Sequence, residues 1–119
     1  MKLTYSDKKV EKQCTSLKEA QKLFGGNKIL AIKLLDVINR LESAVIIKDI
    51  IVQPKLRFHN LKGRYEGLFA IDVKGKQEPW RIILRPLDED EKPFEPCNID
   101  EIAGIVQIVE IRKVSKHYE

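Results

Sequence analysis

The chain is short of several things, and each shortage excludes a class of protein. No run of 18 or more apolar residues occurs, so nothing reads as a membrane-spanning helix. The opening residues MKLTYSDKKVEKQC hold no apolar stretch of the kind a secretory signal needs, and the expected location is cytoplasmic. Cysteine is scarce: Cys14 and Cys97 lie far apart and have no second pair. Idle thiols in a reducing compartment are the simpler reading, and a disulfide between them is the other. Neither cysteine has the local spacing of a zinc site, so no metal and no other cofactor is expected. Internal repeats and low-complexity segments are missing too. Acid is missing from one place in particular: Lys55–Arg64, KLRFHNLKGR, carries Lys55, Arg57, Lys62 and Arg64 around His59 without a single Asp or Glu.

What is present suits one domain over residues 1–119, since 119 residues with 43% hydrophobic content can build one modest core. Net charge is only +4 but unevenly spread. Residues 1–64 hold 14 Lys/Arg against 6 Asp/Glu, whereas 65–119 hold 8 against 12. Most of the acid falls in Asp88–Glu101, with seven acids and one lysine. A basic half favours a polyanionic partner. Over residues 8–40, solvated helix faces explain the lysines equally well, and the acidic stretch reads as solvated surface.

Apolar spacing divides the chain into helices followed by strands. Met1–Tyr5 can form a short edge strand, and Asp7 can cap a helical turn reaching Cys14. Ser16 with Glu19 forms a capping box, Gly25-Gly26 a helix stop, and Asn27 a second cap. Leu30, Leu34, Ile38 and Leu41 share one helical face, which predicts a helical hairpin or one kinked helix over 16–43. From Pro54 the period changes to two. Leu56 and Phe58 alternate with Arg57 and His59, and Asn60–Arg64 reads as a turn. Phe69, Ile71 and Val73 then oppose Leu68, Ala70 and Asp72, and Lys74-Gly75-Lys76 turns the chain. Trp80, Ile82 and Leu84 oppose Arg81, Ile83 and Arg85. Pro86–Pro96 reads as a loop, Asp100 as the start of a short turn, and Ile105–Val114 as a central strand. The expected class is α+β, with N-terminal helices packed on one face of a small antiparallel sheet.

The residues around His59 suggest RNA chemistry. Lys and Arg bind phosphate, and an imidazole moves protons near neutral pH. Cleavage of RNA without metal requires a base for the 2′-OH, cations for the phosphorane and an acid for the leaving 5′ oxygen. His59 is the candidate base or acid, its alternative being a structural strand-end histidine. Lys62 is a candidate phosphate contact or a solvated turn lysine. Arg81 sits in an apolar strand, so it must reach a carboxylate or the rim of a site. Lys55, Arg57 and Arg64 are candidates for positioning RNA or are surface charge. Trp80 and Tyr65 are core residues or stacking platforms.

His59, Leu61-Lys62-Gly63, Gly67 with Phe69-Ala70-Ile71, and Trp80-Arg81-Ile82 occur in an order that resembles the RelE/ParE superfamily of bacterial toxins. Within it the chain resembles the HigB-like branch, and the similarity runs over nearly the whole length. The resemblance implies a RelE-like sheet with helices on one face. It also implies the toxin of a type II toxin–antitoxin system, a metal-independent and ribosome-dependent endoribonuclease that cuts mRNA in the ribosomal A site. Its partners would be mRNA, the ribosome and a HigA-like helix-turn-helix antitoxin. Catalytic roles would fall on His59, Lys62, Arg81, His117 and Tyr118, and RNA binding on Lys55, Arg57, Arg64 and Trp80. HigB-type chains commonly end Asp-Tyr-His, whereas this one ends Ser115-Lys116-His117-Tyr118-Glu119, with Lys116 where the acid would stand. A binder of the same fold without nuclease activity, such as a gyrase-type toxin, and a basic RNA-binding module are the competing readings. The ribonuclease reading expects His59, Lys62 and Arg81 to converge on one patch of the sheet facing water.

Overall fold

The computed structural model describes residues 1–116, so the roles expected of His117 and Tyr118 lie outside the described residues. The chain opens with strand β1 (Lys2–Tyr5), followed by helices α1 (Lys8–Thr15), α2 (Leu17–Leu23) and α3 (Lys28–Ser43). Each helix starts on a side-chain cap that spares an orphan N–H. Asp7 accepts from the Val10 amide at 2.8 Å, Ser16 from Glu19 at 3.3 Å and Asn27 from Leu30 at 3.1 Å. After α2, Gly25 and Gly26 turn left-handed at φ 63° and 93°. The Gly26 amide reaches back to the Gln21 carbonyl at 2.7 Å, closing a Schellman turn that sends α3 back across α2. The helical hairpin predicted over 16–43 is present, broken at those glycines.

Helix α4 (Lys48–Ile51) follows, then strands β2 (His59–Asn60), β3 (Phe69–Asp72) and β4 (Arg81–Leu87), the short helix α5 (Ile99–Ile102) and strand β5 (Ile108–Ser115). The sheet order is β1-β5-β4-β3-β2. All neighbours are antiparallel except β1 and β5, which run parallel. The fold is the α+β class expected, with one parallel pair in a sheet that was expected to be wholly antiparallel. Helices separate β1 from the rest of the sheet, so no hairpin turn dictates its direction.

Two further expectations fail for identifiable reasons. Leu56–His59 was expected to alternate as a strand, but Pro54–Leu56 forms a 3-10 turn and Arg57 is left-handed at φ 47°, leaving a strand of only two residues. Proline suits the first turn of a helix, having no N–H to satisfy. Pro86 was expected to begin the loop, yet β4 runs through it to Leu87. Pairing with β3 stops at Leu84, so Pro86 sits where β4 has left the centre of the sheet, as proline in a strand requires.

The alternation of β3 and β4 sorts side chains between two layers. Phe69, Ile71, Ile82 and Leu84 join α1–α3 in the main core, together with Leu34, Ile38 and Leu41. Ala70 and Ile83 point the other way, into a small cluster with Leu61 and Leu68. The helices thus cover one face and leave the other to loops. Among the described residues no helix is long and apolar enough to cross a membrane.

Both cysteines are free, and burial raises the thiol pKa of each. Cys14 is pushed from 9.0 up to about 12. The neighbouring Tyr5 phenol rises from 10.0 to about 12, chiefly through burial and then through the charges of Cys14, Glu42 and Glu11. Below pH 9 both groups are protonated in the folded and unfolded chain alike. Above it the unfolded chain ionises first, so their contribution to stability falls between about pH 9 and 12. Urea midpoints measured from pH 8 to 11 should decline less steeply in Cys14→Ala than in the parent protein.

Candidate nucleic-acid interface and active site

Phe58 stacks on Phe69 with ring centroids 4.9 Å apart and planes 18° from parallel, on the helical side of the sheet. The next residue, His59, therefore points to the open side. There the register lines up His59, Ala70, Ile83 and Lys113 across four strands. Opposed residues share a face, so these four side chains lie on the helix-free surface. The adjacent row is Asp72, Arg81 and Ser115. His59 and Arg81 thus share a face, as the ribonuclease reading requires.

Arg81 does not face water, however, and this corrects the expected open patch of three groups. It is 6% exposed, and Asp72 is 1% exposed. One Arg81 terminal nitrogen donates to the carbonyls of Glu78 and Trp80, the other to Lys76. Its Nε lies 3.0 Å from Asp72 Oδ1, an ion-pair contact without the alignment of a hydrogen bond. The sequence argument allowed two destinations for this guanidinium, a carboxylate or a site rim, and the carboxylate takes it. Arg57 grips the same acid from the loop side, Nε to Oδ2 at 2.8 Å and Nη2 to Oδ1 at 3.2 Å. Asp72 therefore serves two guanidiniums, and neither arginine is an unengaged phosphate ligand.

His59 Nδ1 lies 2.6 Å from the carbonyl oxygen of Arg57. A carbonyl only accepts, so Nδ1 carries the proton and Nε2 of the neutral ring holds the lone pair. Among the described residues Nε2 has no partner, and the ring is half-buried. Two cations flank Tyr65, which packs on the Leu61–Leu68–Ala70–Ile83 cluster. Arg64 lies 5.1 Å from its ring centroid and Lys113 5.6 Å. Arg64 Nη2 also donates to the Tyr65 hydroxyl at 3.2 Å. Lys62, in the turn between β2 and Tyr65, is exposed. Sequence reading overlooked Lys113 because it lies on a strand that looked apolar on both faces. The signal that finds it is the strand register, which places it opposite Ile83.

Trp80 lies on the other face. It meets Phe24 edge-on at 4.9 Å, and Lys116 approaches its ring at 5.7 Å. Of its two readings, core packing describes the observed contacts. Lys55 lines a separate cleft of about 330 Å³ between α3 and the β3–β4 turn, together with Lys33, Lys74 and Lys76. Arg57 and Asp72 also line this cleft. Among the described residues, no three potential metal-ligating side chains gather in one place.

No family model and no curated protein matches the chain. Among solved structures it is similar to the YoeB/ParE toxin from Agrobacterium tumefaciens, with a TM-score of 0.51 and 15% identity over 99% of this chain and 100% of that one. The chain has a YoeB/ParE-type fold. At this identity the likeness concerns the path of the backbone alone. In this fold the candidate groups gather on one surface because the helices cover the other.

Because Asp72 is the carboxylate for two guanidiniums, removing its charge leaves Arg81 buried and uncompensated. Asp72→Asn should lower unfolding free energy by about 3–5 kcal/mol in urea titration. Lys113→Ala, which removes a cation beside Tyr65, should change it by less than about 1 kcal/mol.

Proposed function

We propose that this chain is the toxin of a type II toxin–antitoxin pair, a HigB-like, metal-independent and ribosome-dependent mRNA endoribonuclease. The observation that carries this reading is His59, with Nδ1–H fixed on the Arg57 carbonyl and an Nε2 unpartnered among the described residues, on the same open face as Tyr65 and its flanking cations. Nε2 takes the proton of the 2′-OH, and the 2′ oxygen attacks phosphorus. The P–O5′ bond breaks, leaving a 2′,3′-cyclic phosphate and a 5′-hydroxyl once an acid protonates the departing oxygen. DNA lacks the nucleophile and is spared.

Lys62, Arg64 and Lys113 carry the charge of the phosphorane in this scheme, and Tyr65 offers a base-stacking surface. Arg81 supports the site from beneath through Asp72 in place of touching phosphate. His117 and Tyr118 follow Ser115, which pairs with Arg81, by two and three residues. They are the proposed source of the acid. The lysines of the cleft, Lys33, Lys55, Lys74 and Lys76, suit contacts to ribosomal RNA phosphates, with salt-sensitive affinity. A ribosome that orients mRNA for in-line attack supplies what so small a site lacks. The inhibitory partner is a HigA-like helix-turn-helix antitoxin.

A second reading, a toxin that acts by binding alone, draws on the engagement of Arg81 and Arg57 with Asp72. Inducible expression with primer extension on translated and untranslated mRNA separates the two. Cuts confined to translated mRNA and reduced about 10²–10⁴-fold by His59→Ala support the nuclease. Growth arrest with intact transcripts supports the binder.

A further inference from the structure

A residue in a strained backbone conformation lies two positions before the proposed base. Arg57 is one of two non-glycine residues with positive φ among those described, at φ 47° and ψ 51°. A β-carbon disfavours this left-handed conformation, so surrounding contacts must impose it. The carbonyl that this conformation presents is the one that holds His59 Nδ1 at 2.6 Å. The side chain of the same residue is held by the two-point contact with Asp72, whose carboxylate is wholly buried while the Arg57 side chain is 37% exposed.

We infer that Asp72 is a positioning residue for His59, acting through Arg57: the carboxylate holds the guanidinium, the guanidinium holds the left-handed turn, and the turn's carbonyl selects the Nδ1–H tautomer. This inference rests on the proposed role of His59 as base. The link from carboxylate to imidazole runs through a backbone carbonyl two residues away, so the acid sets the ring's tautomer without contacting it. Other supports of the turn include the Arg57 amide on the Pro54 carbonyl at 3.2 Å, the burial of Leu56 and the stacking of Phe58 on Phe69.

Glycine separates this role from mere charge. Arg57→Ala and Arg57→Gly both delete the guanidinium, but only glycine adopts the left-handed conformation without penalty. The protein has two histidines, so His117→Gln leaves His59 alone in a long-range nitrogen–proton NMR spectrum. In that background the neutral ring should show a protonated Nδ1. Arg57→Ala should shift the ring toward the Nε2–H form, and Arg57→Gly should restore Nδ1–H. Translation-dependent cleavage, assayed with His117 intact, should fall about 10-fold or more in Arg57→Ala and recover to within about 3-fold in Arg57→Gly. An Nε2–H ring with Arg57 present, or the same tautomer in the alanine and glycine variants, overturns the inference. If the tautomers follow this pattern but even the unsubstituted protein cuts no RNA, the positioning chain stands and the nuclease reading falls.

Discussion

One buried carboxylate organises the corner of the sheet where the candidate site lies. Asp72 ends β3, and it draws in Arg57 from the turn before β2 and Arg81 from the first position of β4. Neither Asp72 nor Arg81 would be tolerable in its position alone. A buried guanidinium without a counter-charge costs several kcal/mol, as does a buried carboxylate. Together they compensate one another, and three backbone carbonyls from residues 76–80 accept from the terminal nitrogens of Arg81. The same contacts tie the β3–β4 turn to β4, so the loop cannot move independently of the strand.

The rest of the site follows from that knot and from the period of the sheet. Alternation sends Phe69, Ile71, Ile82 and Leu84 under the helices, and it sends Ala70 and Ile83 to the other side. The second face has too little apolar surface to hold another layer. Leu61, Leu68 and Tyr65 cover it in part, and the cations Arg64 and Lys113 close over the tyrosine. A rigid strand pair thereby presents loop-borne groups to solvent, a common arrangement for binding and catalysis. The basic cleft that Arg57 and Asp72 also line extends the positive surface toward α3, consistent with the charge excess of the first 64 residues.

Helix boundaries were readable because they depend on neighbours in the chain. Asp7, Ser16 and Asn27 cap amides three residues ahead, and Gly25-Gly26 supply a backbone conformation that other residues resist. The two-residue period of β3 and β4 was readable for the same reason, and it assigned Phe69, Ile71, Ile82 and Leu84 to the core. The segment 54–59 was misread because its alternation is real in the sequence, but the conformation of Arg57 is set by a partner fifteen residues away. Helix α4 went unnoticed because it is one turn long, anchored by Ile47 and Lys48 amides on the carbonyls of Val106 and Ala103.

By itself the sequence determined the class of fold, the helix ends, the core faces of the central strands, and the concentration of cations around His59, because each depends on residue type and short-range spacing. Tertiary structure decided which charges are available. Whether Arg81 meets phosphate or an internal acid, whether Trp80 faces outward or toward Phe24, and whether Lys113 belongs beside Tyr65 all depend on strand order and register. Those are fixed by long-range pairing that no local pattern encodes, because each pair joins residues widely separated in the chain, and its energy comes from burying them together.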